Sequence, residues 1–89
     1  MGKSAKPTLV EAFPVGEYIW DEIVARDWTV QNVSDTTGLS VDYIWEVIQN
    51  KADLTKEAAI AIAEATETVA ATWLNMQEHY KQWLKTKNL

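Results

Sequence analysis

Hydrophobic positions recur every three to four residues in five stretches of the chain, which is the spacing of one face of an α-helix. The predicted helices cover residues 17–26, 30–36, 41–49, 56–65 and 69–85. No stretch alternates between apolar and polar residues as a half-buried strand does. The pattern predicts an all-α fold. Its expected core positions are Trp20, Leu39, Ile44, Ile48, Ile62 and Trp73.

Residues that favour helix ends separate these stretches. The predicted N-caps of the second to fifth helices are Thr29, Ser40, Thr55 and Thr68. Gly38 lies between the second and third helices, where a left-handed residue ends a helix easily. Two short helices joined by a glycine-containing turn are the layout of a helix-turn-helix.

The domain organisation follows from the same pattern. Residues 14–89 are expected to form one helix-turn-helix domain with a C-terminal helix. Residues 1–13 have no sustained periodicity and contain Pro7, so they are expected to be a loose N-terminal tail.

Five segments between Gly16 and Gln77 carry a family resemblance. They read GEYIWDEI, TGLS, IWEVIQNK, LTKEAAIAIA and TWLNMQ. In order and separation they are similar to the segments GExLxEEL, LGVS, INEIVNGK, ITADTALRLA and FWLNLQ of the HigA-type antitoxins. These antitoxins are a branch of the Xre-like helix-turn-helix repressors. The resemblance implies a lambda-repressor-like fold of five helices.

The resemblance also implies a function. Such proteins repress transcription by binding a palindromic operator as a homodimer, with the third helix in the major groove. They also neutralise a partner toxin, usually an RNA-cleaving enzyme, within a toxin–antitoxin system. The candidate DNA-binding residues here are Thr29, Gln31, Asn32, Ser40, Val41, Asp42, Tyr43, Trp45, Glu46, Gln49 and Lys51.

The charge distribution leaves a second function open. The net charge is −5, and residues 28–50 contain Asp35, Asp42 and Glu46 but no lysine or arginine. The family often has lysine or arginine near Asp35, Tyr43 and Ala52. The alternative is a protein-interaction module that does not bind DNA and docks through an acidic helix-turn-helix face bearing Trp45, a tryptophan that the register places on the exposed side.

An aromatic seam runs along the fifth helix at heptad spacing. Its candidate residues for a partner or dimer interface are Trp73, Met76, Tyr80 and Trp83. We interpret Trp73 and Met76 as core positions. For Tyr80 and Trp83 a core position and an interface position are equally compatible with the sequence.

Other kinds of chemistry have no sequence support. The chain contains no cysteine and a single histidine, His79, and it has no glycine-rich phosphate loop or nucleophile motif. We therefore expect no enzyme activity, no metal and no cofactor. No apolar run reaches the roughly 20 residues that span a bilayer, so a cytoplasmic protein without a membrane contact is expected.

Overall fold

The computed structural model describes residues 12–87, which form five α-helices. The helices are α1 (Val15–Ala25), α2 (Val30–Thr37), α3 (Val41–Ile48), α4 (Lys56–Thr66) and α5 (Ala70–Lys87). Between residues 12 and 87 there is no strand. The all-α prediction is confirmed, and each helix end lies within two residues of its predicted position.

The predicted tail lies outside the described residues, except for Ala12 and Phe13. Ala12 is buried and Phe13 is exposed. None of the helices in the described part of the chain is long and apolar enough to cross a membrane.

Three of the four predicted N-caps are confirmed. The hydroxyl groups of Thr29, Ser40 and Thr55 each accept a hydrogen bond from the backbone N–H three residues later, at 3.0 to 3.1 Å. The structure differs at α5, which begins at Ala70. The Thr68 hydroxyl accepts a hydrogen bond from the indole Nε1 of Trp73 at 2.7 Å, so it satisfies a buried tryptophan.

The core is one apolar cluster to which all five helices contribute buried side chains. Ile44, Ile62 and Trp73 are buried as predicted, whereas Leu39 and Ile48 are half-buried against this cluster. The prediction for Trp20 is wrong, because its side chain is 40% exposed. Helix α1 turns Ile19 and Ile23 into the core, which leaves Trp20 on the outer edge of the apolar stripe.

Helices α1 and α3 approach each other closely at Gly16. A Cβ atom added to Gly16 would lie 2.1 Å from the carbonyl oxygen of Val47 and 2.8 Å from the Cα of Ile48. Only a glycine leaves room for the α3 backbone at this distance. The contact therefore fixes α3 against the rest of the domain.

Helix α5 holds the loop between α3 and α4. The Gln77 amide accepts a hydrogen bond from the Leu54 backbone N–H at 2.7 Å and donates one to the Leu54 carbonyl at 3.0 Å. One helical turn later, Lys81 Nζ lies 2.6 Å from Asp53 Oδ2. Both backbone groups of the buried Leu54 are therefore satisfied by one side chain.

Candidate nucleic-acid interface

The turn between α2 and α3 is fixed by local hydrogen bonds. Gly38 has φ 80° and ψ 0°, and its N–H donates to the Ser34 carbonyl at 2.8 Å. The Ser34 hydroxyl donates to the Leu39 carbonyl at 2.6 Å, and the Leu39 N–H donates to the Thr37 hydroxyl at 3.2 Å. Leu39 is half-buried against the core, as a helix-turn-helix requires of the residue after the glycine.

Helix α3 separates its buried face from its outward face clearly. Ile44 and Val47 are buried, and Val41 is half-buried. The exposed residues on the other side are Asp42, Trp45, Glu46 and Gln49. Four of the predicted DNA contacts therefore lie on one surface, with Ser40 exposed at the start of the helix.

The predicted contacts on α2 are exposed as well, but two of them also cap the helix. Thr29 and Asn32 form a reciprocal capping box, in which the Asn32 amide oxygen accepts from the Thr29 backbone N–H at 2.9 Å. Gln31 donates to Asp35 at 3.0 Å along the outer side of α2. The N-terminal end of α2 is thus ordered and accessible beside α3.

Tyr43 has a structural role that sequence reasoning missed. Its hydroxyl donates to the Asp53 carbonyl at 2.8 Å and accepts from the Thr55 backbone N–H at 3.1 Å. These bonds connect α3 with the start of α4 and hold the loop that carries Lys51. No local sequence signal indicates them, because the partners lie ten and twelve residues along the chain.

Trp45 is exposed as its register predicts, and it does not stand alone. Its ring centroid lies 5.7 Å from that of Trp20, with an angle of 37° between the ring planes. The two rings are 39% and 40% exposed. The pair bridges α3 and α1 at one edge of the outward face.

The charges around this face are mostly negative. Asp35, Asp42 and Glu46 are exposed, and neither α2 nor α3 carries a lysine or arginine. Arg26, which precedes α2, is engaged elsewhere: its Nε lies 2.8 Å from Glu22 and its guanidinium stacks over the Trp28 ring.

Two exposed lysines lie near the two ends of the loop that follows α3. They are Lys51, after the end of α3, and Lys56, the first residue of α4. Lys51 is among the predicted DNA contacts and Lys56 is not.

The seam on α5 divides into an inner and an outer part. Trp73 is 4% exposed, which confirms the core interpretation, and Met76 is half-buried against the same cluster. Tyr80 and Trp83 are half-buried and stack on each other with ring centroids 6.0 Å apart. Lys87 Nζ lies 4.8 Å from the centre of the Trp83 ring.

The described residues 12–87 contain no group of three histidine, aspartate or glutamate side chains that could hold a metal ion. His79 is exposed on α5. The outward face of α3, with its exposed Asp42, Trp45, Glu46 and Gln49, is the candidate functional site of this domain.

Solved structures of known proteins share this fold. A protein from Nostoc punctiforme, described as an antidote of a plasmid maintenance system, is 28% identical with a TM-score of 0.82. The match covers 89% of this chain and 87% of that chain. No protein-family model and no curated protein sequence matches the chain.

Two further structures share the fold at lower identity. An addiction module antidote of the HigA family from Coxiella burnetii has a TM-score of 0.82 at 16% identity, covering 89% of this chain and 87% of that one. A Pseudomonas aeruginosa protein, solved with its 18-base-pair operator DNA, has a TM-score of 0.83 at 17% identity, covering 90% and 87%. These similarities confirm the five-helix helix-turn-helix fold, and the 28% identical structure supports the resemblance of the five ordered sequence segments to HigA-type antitoxins.

Proposed function

We propose that this protein is a cytoplasmic transcriptional regulator of the antitoxin type, which binds operator DNA as a homodimer. The observation that carries the proposal is the outward face of α3, held by a capped helix-turn-helix. In this arrangement α3 of each protomer enters the major groove and the two half-sites lie about one helical turn apart. The alternative, an interaction module without DNA binding, is not favoured, because a protein of this fold was solved with its operator.

The antitoxin part of the proposal has its own support. The ordered segments from Gly16 to Gln77 resemble those of antitoxins, and the 28% identical structure is described as an antidote. A cognate toxin encoded beside this chain is the partner that the resemblance implies.

The electrostatics predict how such a regulator binds. Lys51 and Lys56 are the exposed cations that follow α3 most closely along the chain, while Asp42 and Glu46 on α3 itself repel phosphates. Each phosphate that a lysine neutralises contributes about −0.9 to the slope of log K against log salt. Two lysines in each of two protomers give a slope of about −3 to −4, which is shallow for a DNA-binding dimer. Operator preference must then come mainly from contacts to bases.

The test of this function is a titration of labelled duplexes by fluorescence anisotropy. One duplex carries the sequence upstream of the protein's own gene, and the control is a shuffled duplex of the same composition. We expect the upstream duplex to be preferred, with the shallow slope between about 50 and 200 mM salt. Equal affinity for both duplexes at the lower salt concentration would contradict the proposal.

Self-association is tested separately at Trp83. The exposed part of the Tyr80–Trp83 stack is the apolar surface that a second copy would cover. A glutamate at position 83 would place a charge in that contact, so Trp83→Glu should weaken the dimer by about tenfold or more. Sedimentation equilibrium measures the change.

Val24→Glu is the matched control for this substitution. It introduces the same charge at an exposed apolar position of α1 and should leave the dimer intact. A wild-type protein that stays monomeric at high micromolar concentration would contradict the dimeric operator complex.

A further inference from the structure

The aromatic pair Trp20–Trp45 has a defined geometry on the surface of the domain. Two large rings 39% and 40% exposed retain apolar area that the fold itself does not bury. The pair lies beside the polar residues of the α3 outward face, and its rings are in contact with each other. Folding alone leaves this area in water, so a ligand is the natural means of covering it.

The pair is also held rigidly. Trp45 projects from α3 and Trp20 from α1, and these two helices are in backbone contact at Gly16. The Trp20 ring therefore limits the rotation of Trp45 and fixes the direction in which its exposed edge points. A rigid aromatic edge loses little side-chain entropy on binding.

We propose that the Trp20–Trp45 pair reads thymine in the operator. The Trp45 ring contacts the 5-methyl group of a thymine in the major groove, and Trp20 is a positioning residue that holds the ring in place. This inference rests on the proposed function, because it needs α3 to lie in the major groove.

The chemistry of the base edges selects thymine. Its methyl group is the apolar group that a base pair presents in the major groove, and apolar side chains recognise it by contact. Guanine is read by arginine or lysine, and the outward face of α3 carries neither. Trp45 thus complements Asp42 and Glu46, whose carboxylates accept hydrogen bonds from cytosine N4.

The size of the patch favours a base over a protein. A stable protein interface covers about 800 Å² on each partner. On α3 itself Trp45 is the one exposed large apolar side chain, because Asp42, Glu46 and Gln49 share that face. One ring edge on the helix that enters the major groove is enough to cover a single methyl group on a base edge.

The experiment replaces thymine by deoxyuridine, which lacks only the methyl group. A pool of random duplexes is first enriched for binding to the full-length wild-type protein. Each thymine of the enriched duplex is then changed singly, and symmetrically in both half-sites. Burying one methyl group corresponds to roughly a fourfold change in Kd, so the symmetric change at the contacted thymine should weaken binding roughly 15-fold. All other thymines should tolerate the replacement.

Variants assign the effect to the aromatic pair. In Trp45→Ala the difference in Kd between the thymine duplex and the deoxyuridine duplex should disappear at the contacted position. Trp20→Ala should reduce it, and Trp20→Phe should restore most of it, since a ring of similar shape can still support Trp45. Tyr18→Ala is the matched control, because Tyr18 is an exposed aromatic residue of α1 outside the pair.

The outcomes separate this inference from the function on which it rests. If no sequence is enriched over the random pool, the proposed function fails and the inference falls with it. If an operator is enriched but every deoxyuridine duplex binds the wild type equally well, only the thymine inference is overturned. The thymine inference is also overturned if Trp45→Ala binds the enriched operator with the wild-type affinity and still distinguishes thymine from deoxyuridine. In either case the exposed rings of Trp20 and Trp45 would be assigned to a contact with a partner protein.

Discussion

Replacing Gly16 with alanine is expected to destabilise the protein by about 3 kcal/mol or more, which is a large part of the stability of a small domain. The added Cβ would lie 2.1 Å from the Val47 carbonyl oxygen and 2.8 Å from two backbone atoms of Ile48. None of these atoms belongs to a flexible side chain, so α3 as a whole would have to move away from α1. Urea unfolding followed by tryptophan fluorescence measures the loss.

Gly38→Ala is the matched control for this substitution. Gly38 has a positive φ of 80°, and nothing lies within 4 Å of the position that a Cβ would take. Only the left-handed backbone is then unfavourable, at about 1 kcal/mol. Both glycines are changed to the same residue, but one meets backbone and the other meets open space. An equal or smaller loss in Gly16→Ala would show that α1 and α3 are not held at this distance.

Local features of the sequence were sufficient to predict the helices and the turn. The capping threonines and serine act within three residues, and Gly38 acts at its own position, so both kinds of signal can be read without knowledge of the fold. The side on which a helix is buried depends also on how the other helices pack against it. In α1 the apolar residues Ile19, Trp20, Ile23 and Val24 form a stripe wider than the core can cover. The packing of α3 and α5 against α1 decides which edge of that stripe is buried, and Trp20 was therefore assigned wrongly.

The same reasoning applies to the site. The outward positions of α3 follow from its helical period, so the exposure of Trp45 could be predicted. The hydroxyl bonds of Tyr43 and the ion pair between Lys81 and Asp53 depend on how a loop folds against two helices. The stack of Trp20 on Trp45 depends on the crossing of α1 and α3. Contacts between distant parts of the chain have no periodic signal in a single sequence.

Removing the Asp42 carboxylate is expected to lower the preference for the operator about 100-fold. Asp42 is exposed in the first turn of α3, where it can accept a hydrogen bond from a cytosine N4 group. A base contact of roughly 1.4 kcal/mol corresponds to a factor of ten, and the dimer makes it once in each half-site. In Asp42→Ala this contact is lost. Binding to random duplexes should rise at the same time, because the carboxylate no longer repels phosphates.

The control for Asp42→Ala is Glu64→Ala, which removes one exposed carboxylate from α4, outside α3. It changes the net charge by the same amount, so any general electrostatic gain in DNA affinity should be seen in both variants. Only Asp42→Ala should lose operator preference, measured as the ratio of Kd for the shuffled and the enriched duplex at one salt concentration. Removing a carboxylate that contacts a base lowers this ratio, whereas removing one that only repels the DNA backbone leaves the ratio unchanged. If both variants keep the wild-type preference and bind all duplexes more tightly, Asp42 contributes repulsion alone, and the sequence preference of α3 then depends on Trp45 and Gln49.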